Sequence, residues 1–263
     1  SLGAGPPGYA GAPPGRVLSF IGAKGGVGVT TVALNVAAVL ARQGKRVIAL
    51  ELRPCFGAFA FQFHLTPTGT LRDLLGQEAG EIGAKALHQR LVNLQCGIKA
   101  LFSAQTAAGF MEIQTPQAEA IIRAAAQMAE YVIIDLPSLP CSTSQTAVAG
   151  CHATVLVVER DFGSVAAGSS MVELLKAWIA DKNALGAVLI TKDPLAAFLA
   201  LPDVRAELGC PIVGVIPPAA DLCAASYRRG VPLALSDPES LAGASLIALA
   251  NTLAEPVLVS VSV

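Results

Sequence analysis

A glycine-rich stretch near the start of the chain has the residue types and spacing of a phosphate-binding loop. The segment GGVG at residues 25–28 lies between an apolar run at residues 16–21 and a helix-forming run at residues 30–42. Glycines let successive backbone N–H groups turn towards one point, and a helix N-terminus adds the positive end of its dipole. The first helical hydroxyl, Thr30, can ligate Mg²⁺. Strand, glycine loop and helix together predict a cradle for phosphate groups.

Two positions depart from the P-loop pattern GxxxxGK[ST]. Ala23 stands at the first glycine and Val29 at the lysine. The alanine is a small change, because a methyl group is tolerated wherever φ stays negative. The valine removes a cation that reaches the β- and γ-phosphates, and a charged hydrogen bond contributes about 1.5–3 kcal/mol. An extra lysine, Lys24, stands near the start of the loop.

The string KGGVGVTT at residues 24–31 resembles KGGVGKTT, the deviant Walker A motif of the MinD/ParA class of P-loop ATPases. In that class an early signature lysine crosses a dimer interface to the partner's nucleotide, and Lys24 matches it. The resemblance implies ATP or ADP with Mg²⁺ as cofactors, and a homodimer formed through the nucleotide face. Glycine-rich turns without a ligand also occur between strands and helices, and that alternative stays open. The residues expected to bind the nucleotide are Lys24, Gly25, Gly26, Val27, Gly28, Val29, Thr30, Thr31 and Pro217.

A carboxylate follows a second apolar run, YVIID at residues 131–135. Asp135 stands at the Walker B position, where it can hold the water shell of Mg²⁺ together with Thr30. A strand-terminal Asp is common in α/β folds, so this signal gains its weight from the loop at Lys24. We expect Thr30 and Asp135 to form a water-mediated Mg²⁺ site.

The strand KRVIALEL at residues 45–52 is followed by an unexpected charge. In the MinD/ParA class this strand ends in a D-x-D-like pair whose second Asp orients the attacking water. Here Glu51 keeps one carboxylate, and Arg53 stands where the presumed catalytic Asp is expected. An arginine cannot accept a proton at neutral pH, which predicts impaired or absent hydrolysis. The alternative is that Arg53 points to solvent and another carboxylate, with Glu51 as the possible catalytic residue, does the work.

The residues that read the base are also altered. The resemblance implies an Asn after the strand at residues 186–191, where Thr191 and Lys192 stand instead. It also implies that the backbone at Pro217, after the strand at residues 211–216, lies against the adenine edge. The preference for ATP over GTP is therefore not fixed by these positions.

Alternating strand and helix patterns position these residues. Apolar runs at residues 16–21, 45–52, 131–135, 153–159, 186–191 and 211–216 predict strands, and helical patterns at 30–42, 70–76, 116–130, 164–180 and 237–254 separate or follow them. Asp237 is expected to cap the last helix, with Pro238 in its first turn. The pattern predicts an α/β fold with a doubly wound, mainly parallel sheet, helices on both faces, and ligands at the C-terminal strand ends.

The segments outside this pattern suggest the domain organisation. Residues 1–15 are rich in proline and glycine and predict a linker or a disordered tail, and a linker would suggest that another domain precedes it. Residues 16–257 form one expected domain, and residues 258–263 a C-terminal tail. Between them, Phe59, Phe61 and Phe63 fall at period two, so we expect one face of an extended segment, in the core or at an interface.

Composition limits the classes of function. A net charge of −1 and a pI near 6.3 provide no overall field for nucleic acid, so DNA is an improbable partner. No stretch predicts a transmembrane helix, and we expect a cytoplasmic protein, peripheral at the inner membrane or a cell pole. The six cysteines have no CxxC or zinc spacing, so free thiols are expected rather than a metal cluster.

Longer phrases narrow the resemblance. GAKGGVGVTT, ELRPCFGAFAFQF with LTPTGTLRDLL, and YVIIDLPSLP with VLVVERDFGSVAAG resemble the ATPase-like domain of the TadZ/CpaE pilus-assembly proteins over most of residues 16–254. That family implies a nucleotide-responsive dimer that positions the tight-adherence (Flp-type) pilus machinery, with a pilus or secretion ATPase or polar-localisation proteins as partners. The sequence leaves two alternatives open: an active ParA/MinD-type ATPase switch for positioning or partitioning, and a nucleotide-free scaffold of a secretion complex.

Overall fold

The structure is a computed structural model that describes residues 14–179, 184–192 and 199–255. Eight strands form one sheet in the order β3-β4-β2-β5-β1-β6-β7-β8. All pairs are parallel except β3 with β4 at one edge. This confirms the predicted doubly wound, mainly parallel α/β fold with helices on both faces.

The strands are β1 (Arg16–Gly22), β2 (Val47–Glu51), β3 (Val92–Asn93), β4 (Lys99–Leu101), β5 (Tyr131–Asp135), β6 (Ala153–Glu159), β7 (Ala184–Ile190) and β8 (Ile212–Ile216). The helices are α1 (Val29–Arg42), α2 (Phe59–Gln62), α3 (Leu71–Leu75), α4 (Ala84–His88), α5 (Thr115–Met128), α6 (Ser142–Gly150), α7 (Phe162–Trp178), α8 (Leu201–Leu208), α9 (Ala220–Arg229), α10 (Leu233–Ser236) and α11 (Leu241–Ala254).

The core consists of two apolar layers, one on each face of the sheet. Alternate residues of a strand point to opposite faces, so Leu18 and Phe20 of β1 join α1 and α11 in one layer. Ile48 of β2 and Ile134 of β5 join α5 and α7 in the other. Burial on both faces explains why the central strands read as continuous apolar runs.

The strand register places the predicted site at the carboxyl ends of the central strands. β1 lies between β5 and β6, and Glu51 of β2 pairs directly with Asp135 of β5. The loop after β1 therefore begins beside the carboxyl end of β5. Ligands of open parallel sheets bind at such strand ends, where the chain order reverses.

The predicted extended face of phenylalanines is wrong. Residues 59–62 form the helical turn α2, and the three rings go to different environments. Phe59 is fully buried and packs edge-on against Phe102 with 6.1 Å between ring centroids, whereas Phe61 is 52% exposed and Phe63 is half-buried. The turn forms because a buried carboxylate, that of Glu51, accepts the backbone N–H groups at its start.

The predicted start of the last helix is also wrong. Asp237 ends α10, and α11 begins at Leu241 with Ser240 as its N-cap, whose Oγ accepts from Gly243 N at 3.0 Å. Asp237 instead pairs with Arg229 at 3.0 Å. Both residues are good caps, and the geometry of α10 decides between them. The capping arrangement of Thr70 and Asp73 at α3 is confirmed.

Other predictions on the chain's organisation have mixed outcomes. Residues 1–13 of the predicted linker and residues 258–263 of the predicted tail lie outside the described residues, and the domain boundaries stay predictions. The six cysteines, all within the described ranges, are free thiols as expected. Among the helices of the described residues, none has the length and apolar character needed to cross a membrane.

Candidate functional site

The loop after β1 presents an open helix N-terminus. Gly28 is the N-cap residue of α1 and has a φ of 107°, a backbone conformation that favours glycine. No side chain caps this end of α1, and its first turn contains no acidic residue. A Cβ added at Gly25, Gly26 or Gly28 would find no atom within 4 Å, so space lies open above the loop. These are the features of a site for an anion such as phosphate.

Two lysines tie the loop to neighbouring strand ends. Lys24 Nζ donates to the carboxylate of Asp161 at 3.1 Å, just after β6. Lys192 Nζ, after β7, donates to Gly26 O at 2.7 Å and pairs with Glu159 at 3.0 Å. Asp161 was not singled out from the sequence, although an Asp between an apolar strand and a helix is a recognisable capping signal.

The side chains at the two valine positions of the loop point inwards. Val27 is fully buried and Val29 is 7% exposed, and both belong to the apolar layer around α1. Val29 therefore acts as a core residue where the P-loop pattern has a cation. Thr31 is exposed and lines a cleft that includes Tyr227 and Leu233.

Thr30 and Asp135 come together as predicted. The Thr30 hydroxyl donates to Asp135 Oδ2 at 2.7 Å, which joins the first turn of α1 to the end of β5. Asp135 is fully buried, and within the described part of the chain its Oδ1 atom has no hydrogen-bond partner. Burial raises the pKa of Asp135 to about 7, Arg53 opposes this rise, and the charge of Glu51 adds to it.

Arg53 lies on the same carboxylate. Its Nη2 donates to Asp135 Oδ2 at 2.7 Å, and its side chain is 18% exposed. The alternative in which Arg53 points to solvent is therefore wrong. The guanidinium also lies near Glu51, with 3.9 Å between Arg53 Nε and Glu51 Oε1. Glu51 at the end of β2 and Arg53 just after this strand thus both lie beside Asp135.

The carboxylate of Glu51 is held by backbone N–H groups of two loops. Its fully buried carboxylate accepts the N–H groups of Ala58, Phe59 and Ser103, with distances of 3.1 Å to Phe59 N and 3.0 Å to Ser103 N. A Cβ on Gly57 would lie 2.5 Å from Glu51 Oε2, so the chain passes close to this carboxylate. Ser103 could not be predicted as a partner of Glu51, because the two residues are 52 positions apart along the chain and only the fold brings them together.

The predicted base-reading residues lie at other strand ends. Thr191 follows β7 and donates its N–H to Ile216 O at 2.9 Å, and Pro217 follows β8. Pro217 therefore lies on the same carboxyl-terminal side of the sheet as the phosphate loop, three strands away from β1. Its contact with a base stays a prediction.

The arrangement suits the phosphates of a nucleotide better than it suits Mg²⁺. Mg²⁺ requires oxygen ligands, and Thr30 and Asp135 supply them. The charge is unfavourable, because the guanidinium of Arg53 already neutralises Asp135. No group of three or more His, Cys, Asp and Glu residues suited to a metal ion occurs in the described ranges. The loop at residues 25–28 keeps its backbone N–H groups and helix end for an anion.

Comparisons with known proteins agree with this geometry. The family model described as "AAA domain" matches residues 15–184 of this chain. The septum site-determining protein MinD of Synechocystis is 25% identical over 244 residues, which span 90% of this chain and 89% of that protein.

Two solved structures have the same fold. A ParA family ATPase from Chlorobium tepidum superimposes with a TM-score of 0.82 at 19% identity, over 91% of this chain and 99% of that one. MinD of Pyrococcus horikoshii complexed with Mg-ADP superimposes with a TM-score of 0.76 at 20% identity, over 89% of this chain and 94% of that one.

Proposed function

Because this chain belongs to the AAA domain family and has the fold of the MinD/ParA P-loop ATPases, we propose that it is a nucleotide-binding, dimerising assembly factor. In this proposal it serves to localise or assemble a tight-adherence (Flp-type) pilus or a related secretion machine. Its ATP hydrolysis is weak or absent. The observation that carries the proposal is the guanidinium of Arg53 on the carboxylate of Asp135, beside an open phosphate cradle.

The weak hydrolysis follows from the groups around Asp135. A water that attacks a phosphate must be oriented by an acceptor, and an arginine has only donors. Glu51, the possible catalytic carboxylate, already accepts three backbone N–H groups and is fully buried. Val29 adds no charge to stabilise the transferred phosphoryl group. Each of these features reduces turnover without closing the phosphate cradle.

ATP or ADP is the proposed ligand of the loop. The glycines at 25, 26 and 28 leave open space, and the uncapped end of α1 favours negative charge. The Pyrococcus horikoshii MinD, which has the same fold, was solved with Mg-ADP. Thr30 and Asp135 as a water-mediated Mg²⁺ site, and Pro217 as a base contact, remain predictions.

Dimerisation through the nucleotide face is supported by exposed apolar side chains. Three large ones lie within five residues of the carboxyl end of a parallel strand: Phe56 after β2, Leu139 after β5 and Phe162 after β6. The phosphate loop lies on this same carboxyl-terminal side of the sheet. Large apolar side chains exposed together at one edge are typical of a surface that is covered by a partner. A second copy of the chain, with Lys24 reaching towards its nucleotide, is the proposed occupant.

The pilus role rests on the resemblance of the longer sequence phrases to TadZ/CpaE proteins. It implies a pilus or secretion ATPase or polar-localisation proteins as partners, and a cytoplasmic site of action, peripheral at the inner membrane or a cell pole. DNA binding is not part of the proposal, because the net charge is −1.

Calorimetric titration with ATP and Mg²⁺, with phosphate release followed in the same sample, tests this function. Binding without turnover supports a nucleotide-held positioning dimer. Rapid turnover would instead establish an active ParA/MinD-type switch. Absence of binding by the folded chain would establish a nucleotide-free scaffold.

A further inference from the structure

Arg53 lies between two fully buried carboxylates at the place where ligands bind. It contacts Asp135 Oδ2 at 2.7 Å and lies 3.9 Å from Glu51 Oε1. The two carboxylates are paired in the strand register, at the adjacent carboxyl ends of β2 and β5. Thr30, in the first turn of α1, donates to the same oxygen of Asp135. One guanidinium therefore holds together the two strand ends and lies next to the start of the phosphate cradle.

The charges around Arg53 are already balanced to within one unit. Two carboxylates without a cation would carry two negative charges, which in a magnesium site attract the metal. Here a guanidinium supplies one positive charge, and it is permanent because arginine does not lose its proton in proteins. An ion with two positive charges placed beside this guanidinium would be repelled by it.

The guanidinium also retains donors for a ligand. It carries five N–H donors in one plane, so donation to Asp135 leaves others for the oxygen atoms of a phosphate. The Nε atom is buried and has no hydrogen-bond partner among the described residues, so the ion pair has not satisfied the side chain. A purely structural ion pair would be expected to satisfy this buried atom.

We infer that Arg53 is a built-in cation that takes the place of Mg²⁺, so that this chain binds ATP or ADP without a metal ion. The inference rests on the proposed nucleotide binding and revises the Mg²⁺ site expected from the sequence. Arg53 neutralises Asp135 and offers N–H donors to the phosphates, as a positioning and binding residue. It supplies no Lewis acid for the transferred group, which agrees with weak hydrolysis.

The test compares ATP affinity in excess MgCl₂ with ATP affinity in EDTA, by calorimetry. The parent chain is expected to bind ATP more tightly in EDTA than in MgCl₂, because Mg²⁺ complexed to the phosphates would be repelled by Arg53. Arg53→Asp, which recreates an acidic metal site, is expected to bind more tightly in Mg²⁺ than in EDTA by about 10- to 150-fold. Arg123→Ala, a change of an exposed arginine on α5, is the matched control and should behave as the parent.

Arg53→Gln and a metal probe keep the test independent of how well Arg53→Asp folds. Arg53→Gln removes the charge without adding another, and should lower the affinity in EDTA about tenfold or more. In a second experiment Mn²⁺ replaces Mg²⁺, and its electron paramagnetic resonance spectrum is recorded. The parent with ATP should leave the Mn²⁺ signal as that of Mn-ATP free in solution.

The outcomes separate the two ideas. The inference is overturned if ATP binding by the parent depends on Mg²⁺ as strongly as ATP binding by Arg53→Asp. It is also overturned if Mn²⁺ is bound to the parent protein. Either result leaves the proposed function in place. Absence of binding in both media by the folded parent would overturn both.

Discussion

At the scale of single residues, the site is governed by what surrounds each charge. Glu51 and Asp135 are neighbours in the register of β2 and β5, and both are fully buried. Glu51 is satisfied by backbone N–H groups, whereas Asp135 is paired with a guanidinium. Two similar carboxylates therefore have different surroundings: Glu51 closes a loop, and Asp135 lies in the candidate ligand site.

Glu51 should be essential for stability. Glu51→Ala leaves three buried N–H groups without an acceptor and Arg53 with one fewer carboxylate. We expect the free energy of unfolding to fall by about 3–5 kcal/mol. Glu51→Gln keeps one acceptor oxygen and should cost about 1–3 kcal/mol. Urea unfolding measures both, with Glu119→Gln on the exposed face of α5 as control; an Ala variant as stable as that control would contradict the assignment.

Arg53 and Val29 together should set the rate of hydrolysis. The double variant Arg53→Asp with Val29→Lys restores an acceptor beside Asp135 and a cation in the loop. We expect phosphate release in Mg²⁺ above that of the parent, by about tenfold or more for each restored charged contact. The coupled phosphate assay measures it, with each single variant alongside. No gain in the double variant would place the block elsewhere.

At the scale of elements, the loop and α7 are joined by one carboxylate. Asp161 caps α7 by accepting from Ser164 N at 2.9 Å, and it pairs with Lys24 at 3.1 Å. Partial burial acts to raise the pKa of Asp161, but the Ser164 N–H and Lys24 outweigh it and lower the pKa. Lys24 is thus held by a carboxylate at the start of a neighbouring helix.

Loss of the Asp161 cap should be measurable. Asp161→Ala is expected to lower the free energy of unfolding by about 1 kcal/mol, and Asp161→Asn by less, because Asn also caps helices. A lowered pKa in the folded state means that this stability is present above the unfolded pKa and is lost as the pH falls through the folded one. The gap between parent and Ala variant should therefore narrow below about pH 4. Glu173→Ala, exposed on α7, is the control. An undiminished gap in acid would show that the charge is unimportant.

The elements that the sequence predicted are the long, periodic ones. The six predicted strands and helices α1, α5, α7 and α11 all exist, because burial on both sides of the sheet leaves long apolar runs. Strands β3 and β4 were not predicted, since two- and three-residue strands carry no pattern of their own. The turn at Phe59 was misjudged because its cause, the carboxylate of Glu51, is eight residues away along the chain.

The site follows the same rule. The loop glycines, Thr30 and Asp135 were predictable because they have motif spacing and follow apolar runs that predict strands. The contact between Arg53 and Asp135 joins residues 82 positions apart, so only the strand order brings it about.

At the scale of the whole molecule, the charged contacts of the candidate site and several exposed apolar side chains lie on the carboxyl-terminal side of the sheet. The phosphate loop, Arg53 and the exposed Phe56, Leu139 and Phe162 all follow parallel strands at their carboxyl ends. The proposed ligand site and the proposed dimer surface would therefore share one face. Nucleotide and partner should affect each other's binding.

Lys24 should be required for nucleotide-dependent dimers. If Lys24 leaves Asp161 to contact the partner's nucleotide, Lys24→Ala should abolish the dimer mass seen in light scattering with ATP. The free chain should stay monomeric in both proteins at the same concentration. Lys85→Ala, an exposed lysine on α4, is the matched control. A dimer mass unchanged by Lys24→Ala would remove Lys24 from the interface.

The inward packing of Val29 limits which side chains can replace it. Val29 is 7% exposed, and its Cγ2 lies 2.8 Å from the position that a Cβ on Gly22 would take. A lysine at 29 must therefore carry its charge out of the apolar layer. An aspartate at 53 alone restores a carboxylate but leaves the loop without its lysine. Each single replacement repairs only one of the two departures from the MinD/ParA pattern, so the largest gain in turnover is expected only when both are made together.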